Sequence, residues 1–195
     1  MSQTQNIIRR IFGDRKLPQN LSNEEYDEYM HTNFPAWMKE FEDSGFLEKT
    51  KLQPIRNEEE FIEKLNQHKS DLLVLKFWKH GCIPCLTFAE MYKEAEALCQ
   101  RLQQNRPANV AADVAPPPAD TAAAALTAPL EKRVVWYSVD TKALSTRTMV
   151  DYQLISGTPT IQTFCGERQV GEEIKATNLE DLMKELRTRI PKCTP

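Results

Sequence analysis

The stretch Lys76–Cys85, K-F-W-K-H-G-C-I-P-C, decides how the rest of the chain is read. An apolar run, Leu72-Leu73-Val74-Leu75, leads into it, and a segment with Phe88, Met91, Ala95 and Leu98 on one face leads out, so the pattern is strand, turn, helix. Cys82 and Cys85 fall at the turn. A thiol in the first turn of a helix faces unsatisfied backbone N–H groups and the positive end of the dipole, which stabilises its thiolate. The second thiol, three residues on, shares that helical face and can resolve a mixed disulfide formed by the first. Zinc would need two more ligands at similar spacing, and the sequence has neither a second C-x-x-C nor an H-x₃₋₅-H. The remaining alternative for the pair is two core cysteines without chemistry. Pro84 and the strand-to-helix position favour redox use.

The chain has 195 residues, a net charge of −3 and 41% hydrophobic residues, which suits one domain with an extension. That charge gives no support for nucleic-acid binding through a broad basic face, and no nucleic-acid motif is present. No apolar run reaches membrane-spanning length, and none has the form of a secretory signal. Five cysteines without such a signal point to a reducing compartment, where C-x-x-C is catalytic or redox-sensing.

Residues 1–49 read as a helical extension. Ile7, Ile8, Ile11 and Phe12 can share one face, with Arg9, Arg10, Arg15 and Lys16 around it, and Asp14 is the sole acid before Glu24. Residues 1–20 therefore have the features of a mitochondrial targeting helix, which would place the protein in the matrix; a docked terminus and a cytoplasmic location are the alternatives. Ser22 with Glu25 forms a capping box for a helix from about Asn23, which Pro35 should break or restart. Phe34, Trp37, Met38 and Phe41 form an apolar stripe that can pack internally or hold a partner.

From Thr50 strands and helices alternate. Leu52–Ile55 reads as a strand, Asn57 with Glu60 caps a helix carrying Phe61, Ile62 and Leu65, and the central strand spans Leu72–Trp78 with both faces buried. The following helix runs to about Gln104. Residues 107–129 are dominated by Ala and Pro, with almost nothing large enough to pack, and read as a surface insertion whose poly-Ala part can form a helical turn. Then come a strand Val134–Asp140, a helix from about Lys142 to Asp151, a strand at Ile161–Phe164, another around Val170–Ile174, and a helix capped by Asn178. Leu179, Leu182, Met183, Leu186 and Ile190 form its buried face before Pro191 stops it. Residues 192–195 are a tail, where Cys193 is expected to be exposed; Cys99 and Cys165 are expected to pack in the core. The order calls for a parallel portion with right-handed crossovers and a terminal hairpin.

Over residues 50–191 this pattern resembles the thioredoxin family. F-W before the turn, C-x-P-C, Val139-Asp140 ending a strand, G-T-P-T at Gly157–Thr160 and V-G-E at Val170–Glu172 occur in the family's order. The resemblance implies a central mixed β-sheet flanked by helices, and a protein-disulfide reductase in which Cys82 attacks and Cys85 resolves. It also implies a cis Pro159 beside the disulfide, Thr158 presenting backbone to an extended substrate, and Trp78 under the site. The partners so implied are a protein disulfide and an external reductant, with no cofactor beyond the dithiol and no metal. Three residues depart from the family. Lys76 stands where a buried acid is usual, Gly81 replaces a tryptophan, and Ile83 replaces a glycine. Lys76, if charged, would stabilise the thiolate, and His80 as His⁺ could do the same for Cys82. The same departures suit a second reading, a thioredoxin-fold subunit of a larger assembly such as a mitochondrial ribonucleoprotein or a motor complex, held through residues 1–49 and 107–129.

Overall fold

The computed structural model describes residues 2–104 and 122–193. Five strands form one sheet in the order β1-β3-β2-β4-β5. They are β1 (Gln53–Pro54), β2 (Leu72–Trp78), β3 (Val134–Asp140), β4 (Thr160–Cys165) and β5 (Arg168–Gln169). β1 and β2 run parallel to β3, while β4 runs antiparallel to both β2 and β5. The helices of this part are α4 (Glu58–Gln67), α5 (Ile83–Gln104), α6 (Ala122–Thr127), α7 (Arg147–Tyr152) and α8 (Leu179–Arg189). This mixed sheet with helices on both faces is the thioredoxin fold.

Alternation along β2 sorts its side chains between two cores. Leu72 and Val74 join α5, α8 and α6, whereas Leu73, Leu75 and Phe77 join Phe61 and Leu65 of α4 and Met149 and Val150 of α7. Lys76 lies on the α5 side in this alternation. Ile62 of α4 points outward, because only Phe61 and Leu65 fall on the turn facing the sheet.

Several elements differ from the sequence reading. Residues expected to form one helix from Lys142 give a 3₁₀ turn, Leu144–Thr146, before α7. The expected strand at Val170–Ile174 reduces to β5 and a single bridge between Ile174 and Ile161. Gly171, at φ +74°, turns the chain there, and Arg189 packs so closely that a Cβ on Gly171 would lie 3.2 Å from its guanidinium carbon. The Ala/Pro insertion lies mostly outside the described residues, but its end is not a free surface segment. Ala125 and Leu130 are buried in the core, and Arg187 donates from Nε and Nη1 to the carbonyls of Ala125 and Pro129. The tail is also corrected. Pro191 sits inside a 3₁₀ turn, Ile190–Lys192, which folds Cys193 back to 2% exposure in a disulfide with Cys165. Cys99 is buried as expected, and burial pushes its thiol up to about 11, where it is inert.

The extension comprises α1 (Gln3–Phe12), α2 (Asn23–Phe41), a wide turn Glu42–Phe46 kinked at Gly45 (φ +94°), and α3 (Leu47–Lys49). Both N-terminal helices start with the reciprocal capping box, Ser2 with Gln5 and Ser22 with Glu25. Pro35 does not break α2, contrary to expectation. It removes the bond to the carbonyl of His31, but Tyr29, Met30 and Phe34 before it and Trp37 and Met38 after it pack into one cluster, and that shared burial holds the helix continuous. The cluster joins Ile7 and Ile11 of α1 to Leu86 and Ala89 of α5. The stripe Phe34, Trp37, Met38 and Phe41, considered above as a partner surface, is thus used within the chain. Phe12 lies edge-on to Trp37 with ring centroids 5.5 Å apart, and Arg10 stacks over Phe41 and Phe46.

With Ile11 buried in this cluster, Ile11→Ala should lower stability by about 2–5 kcal/mol in urea unfolding, the usual cost of truncating a buried aliphatic side chain. An unchanged midpoint would show α1 detached, as a targeting helix would be.

Candidate active site

Between the last residue of β2 and the first turn of α5 lie only Lys79, His80, Gly81 and Cys82. The carbonyl of Cys82 accepts from the N–H of Leu86 at 3.1 Å, which makes Cys82 the residue that opens the helix. Its sulfur lies 3.2 Å from the N–H of Cys85, the place an Asp or Ser oxygen takes in an ordinary N-cap. Helix geometry therefore delivers an N–H and the positive end of the dipole to this sulfur. Cys82 and Cys85 form a disulfide, with Cα atoms 5.2 Å apart. Pro84 occupies the first turn of α5, where it costs no hydrogen bond.

Across the sheet, the Thr158–Pro159 bond is cis, as the resemblance implied. Cys82 Sγ lies 3.6 Å from the carbonyl oxygen of Thr158 and 3.5 Å from its hydroxyl. A groove of about 430 Å³ leads away from Thr158 between Lys79, Lys142 and Arg147. Thr158 is thus placed beside Cys82 Sγ, with Pro159 next in the chain, while Trp78 stands behind the turn with its ring 4.8 Å from that of His80.

The extension supplies a residue that the sequence reading missed. Glu42 is only 4% exposed, and its two carboxylate oxygens serve the turn from behind: Oε1 accepts from the N–H of Gly81 at 2.9 Å, and Oε2 lies 3.1 Å from Nδ1 of His80. Gly81 has φ +67°, and a Cβ there would meet the Cε of Met38 at 3.7 Å. Glycine thus satisfies the left-handed backbone, while the Met38 contact is one that a Cβ would tolerate. The signal for Glu42 was its spacing. It follows Phe34 and Met38 at intervals of four, so an acid occupies the next place in an apolar stripe.

Lys76 is 6% exposed, on the α5 side of β2, with its ammonium 5.2 Å from the ring centre of Tyr92 and 5.9 Å from that of Trp78. Desolvation pushes its pKa down from 10.5 to about 8. The acid of this region comes from Glu42 on the extension, not from the central strand.

No family model matches the sequence, and no curated protein matches it. Similar solved structures are thioredoxins. The thioredoxin of Trypanosoma brucei brucei is 15% identical, with a TM-score of 0.49, over 73% of this chain and 94% of that one. Mitochondrial thioredoxin 3 of Saccharomyces cerevisiae, in its oxidised form, is 15% identical, with a TM-score of 0.48, over 72% and 97%. The oxidised thioredoxin of Plasmodium falciparum is 15% identical, with a TM-score of 0.46, over 70% and 99%. Strand order and register carry the fold assignment.

Two outcomes follow from this geometry. Glu42→Ala removes the acceptor of the Gly81 N–H and should cost about 1–3 kcal/mol, with faster hydrogen exchange at that amide, while Glu42→Gln keeps an acceptor and should cost less. For Lys76, the folded state releases the proton at lower pH than the unfolded state, so stability rises with pH. The penalty of the buried ammonium is fully present below about pH 8 and fades toward pH 10.5. The stability of the natural chain relative to Lys76→Met should therefore improve by roughly 2 kcal/mol between pH 7 and pH 10 in paired urea titrations. A constant difference would contradict the burial of a charged Lys76.

Proposed function

We propose that this chain is a thiol–disulfide oxidoreductase acting on protein disulfides through Cys82 and Cys85. The observation that carries the reading is the Cys82–Cys85 pair at the N-terminus of α5, with Cys82 Sγ beside the cis Thr158–Pro159 bond. In the reduced state the helix N-terminus stabilises the Cys82 thiolate. The thiolate attacks one sulfur of a target disulfide, forms a mixed disulfide and expels the other target sulfur as a thiolate. Cys85, deprotonated in turn, attacks Cys82, expels the second target thiolate and leaves the Cys82–Cys85 disulfide. Two electrons have then passed to the target, and an external dithiol restores the pair by the same exchange in reverse. No cofactor enters the scheme.

The extension belongs to this site in the proposal. Glu42 fixes the Gly81 amide and faces His80, so the backbone ahead of the attacking sulfur is held from behind while the Thr158 side stays available to a substrate strand. Lys76, as a cation, favours a thiolate nearby and thereby the reduced form, which makes the couple more oxidising. We place the reaction in a reducing compartment, the mitochondrial matrix or the cytoplasm.

The alternative, a subunit of a larger assembly without redox turnover, loses one of its supports because the aromatic stripe of the extension is packed inside the chain. The two readings separate in one assay, the reduction of a model protein disulfide with a small dithiol as electron donor. The natural chain should turn over well above the uncatalysed rate, and Cys82→Ser should abolish that excess. Equal rates for the two would contradict the proposal and leave the assembly subunit.

A further inference from the structure

Behind the redox turn, a separate cleft of about 310 Å³ opens between the end of the extension and the sheet. Leu47, Glu48, Thr50, Lys51 and Leu52 form one wall, and Lys76, Trp78 and Ser138 the other, with His80 also part of the lining. Lys76 is the unusual group in it. Among the described residues its ammonium has no hydrogen-bond acceptor and no ion pair, only the rings of Tyr92 and Trp78. An ammonium at 6% exposure keeps little of its water, and contact with two aromatic faces recovers only part of what it has given up. The hydroxyls of the lining do not help. Thr50 donates to the carbonyl of Phe46 at 2.9 Å and Ser138 to that of Leu52 at 3.3 Å, and neither is turned toward Lys76 as an acceptor in a hydrogen bond.

We propose that this cleft binds a small monocarboxylate with an apolar body, its carboxylate on Lys76 and its body against Trp78, Leu47 and Leu52. Charge and size select that class. One buried cation matches one negative charge. Lys51 is paired with Glu48 at 3.5 Å, so that pair adds no net positive charge for a dianion such as phosphate. The ligand would supply the acceptor that the protein withholds from Lys76, and it would hold the amine protonated, since an adjacent anion opposes the effect of desolvation. The inference does not depend on turnover of the dithiol.

Isothermal titration of the full-length oxidised protein with hexanoate, hexan-1-ol and inorganic phosphate tests it, with Lys76→Met as the variant. Lys76→Met removes the buried charge and keeps an unbranched side chain one heavy atom shorter, and its thermal melt checks that it folds. Hexanoate should bind the natural chain saturably, and roughly tenfold or more weakly to Lys76→Met, the scale set by losing one charge-assisted hydrogen bond. Hexan-1-ol should bind both proteins equally weakly, and phosphate should give no saturable heat. Amide NMR shifts on adding hexanoate should centre on Thr50–Leu52, Lys76–Trp78 and Ser138. Equal hexanoate affinity in the two proteins, no saturable binding, binding of phosphate as tight as that of hexanoate, or shifts centred elsewhere would each overturn the proposal.

Discussion

The structure depends on a short turn. The chain must pass from the buried strand β2 into α5 through Lys79, His80, Gly81 and Cys82, and it must do so with a polar backbone that little regular structure satisfies. Three segments brace the turn. The helix presents the Cys85 N–H to the Cys82 sulfur, Thr158 before the cis bond lies against the same sulfur, and Glu42 accepts the Gly81 N–H from the extension. The Cys82–Cys85 pair is therefore held from the helix, from the loop ahead of β4 and from an element that precedes the sheet in sequence.

That arrangement gives the extension a structural meaning. Its aromatic residues bury themselves against α1 and α5, which positions the kink at Gly45 and lets Glu42 reach the turn. Lys76 and Gly81, read from the sequence as departures, fall into place with it. Gly81 adopts the positive φ of the turn, and a carboxylate serves the turn from outside the sheet while the central strand carries an amine.

Much of the fold was legible because local pattern and tertiary role agree in it. β2 and β3 match the sequence reading residue for residue: each is an apolar run bounded by polar turns and buried on both faces. The caps at Ser22, Asn57 and Asn178 were equally plain, since capping is a local hydrogen bond. Features set by distant contacts were not legible. Pro35 obeys the packing on either side of it, Cys193 obeys a turn that brings it to Cys165, and Gly171 turns the chain at positive φ with Arg189 against it. Of the site, the sequence disclosed both cysteines, the cis-proline and Lys76. Glu42 went unread, because an acid in the place where an apolar residue would fit gains its meaning only from the docked extension.

The central claim is that Cys82 is the sulfur that forms bonds with a target. The direct measurement is to mix reduced Cys85→Ser with a protein disulfide and locate the covalent adduct by peptide mass spectrometry. The account predicts a mixed disulfide on Cys82 that accumulates because its resolving thiol is gone, while Cys99 remains unmodified in its core. Absence of an adduct, or an adduct confined to Cys165 or Cys193, would contradict it.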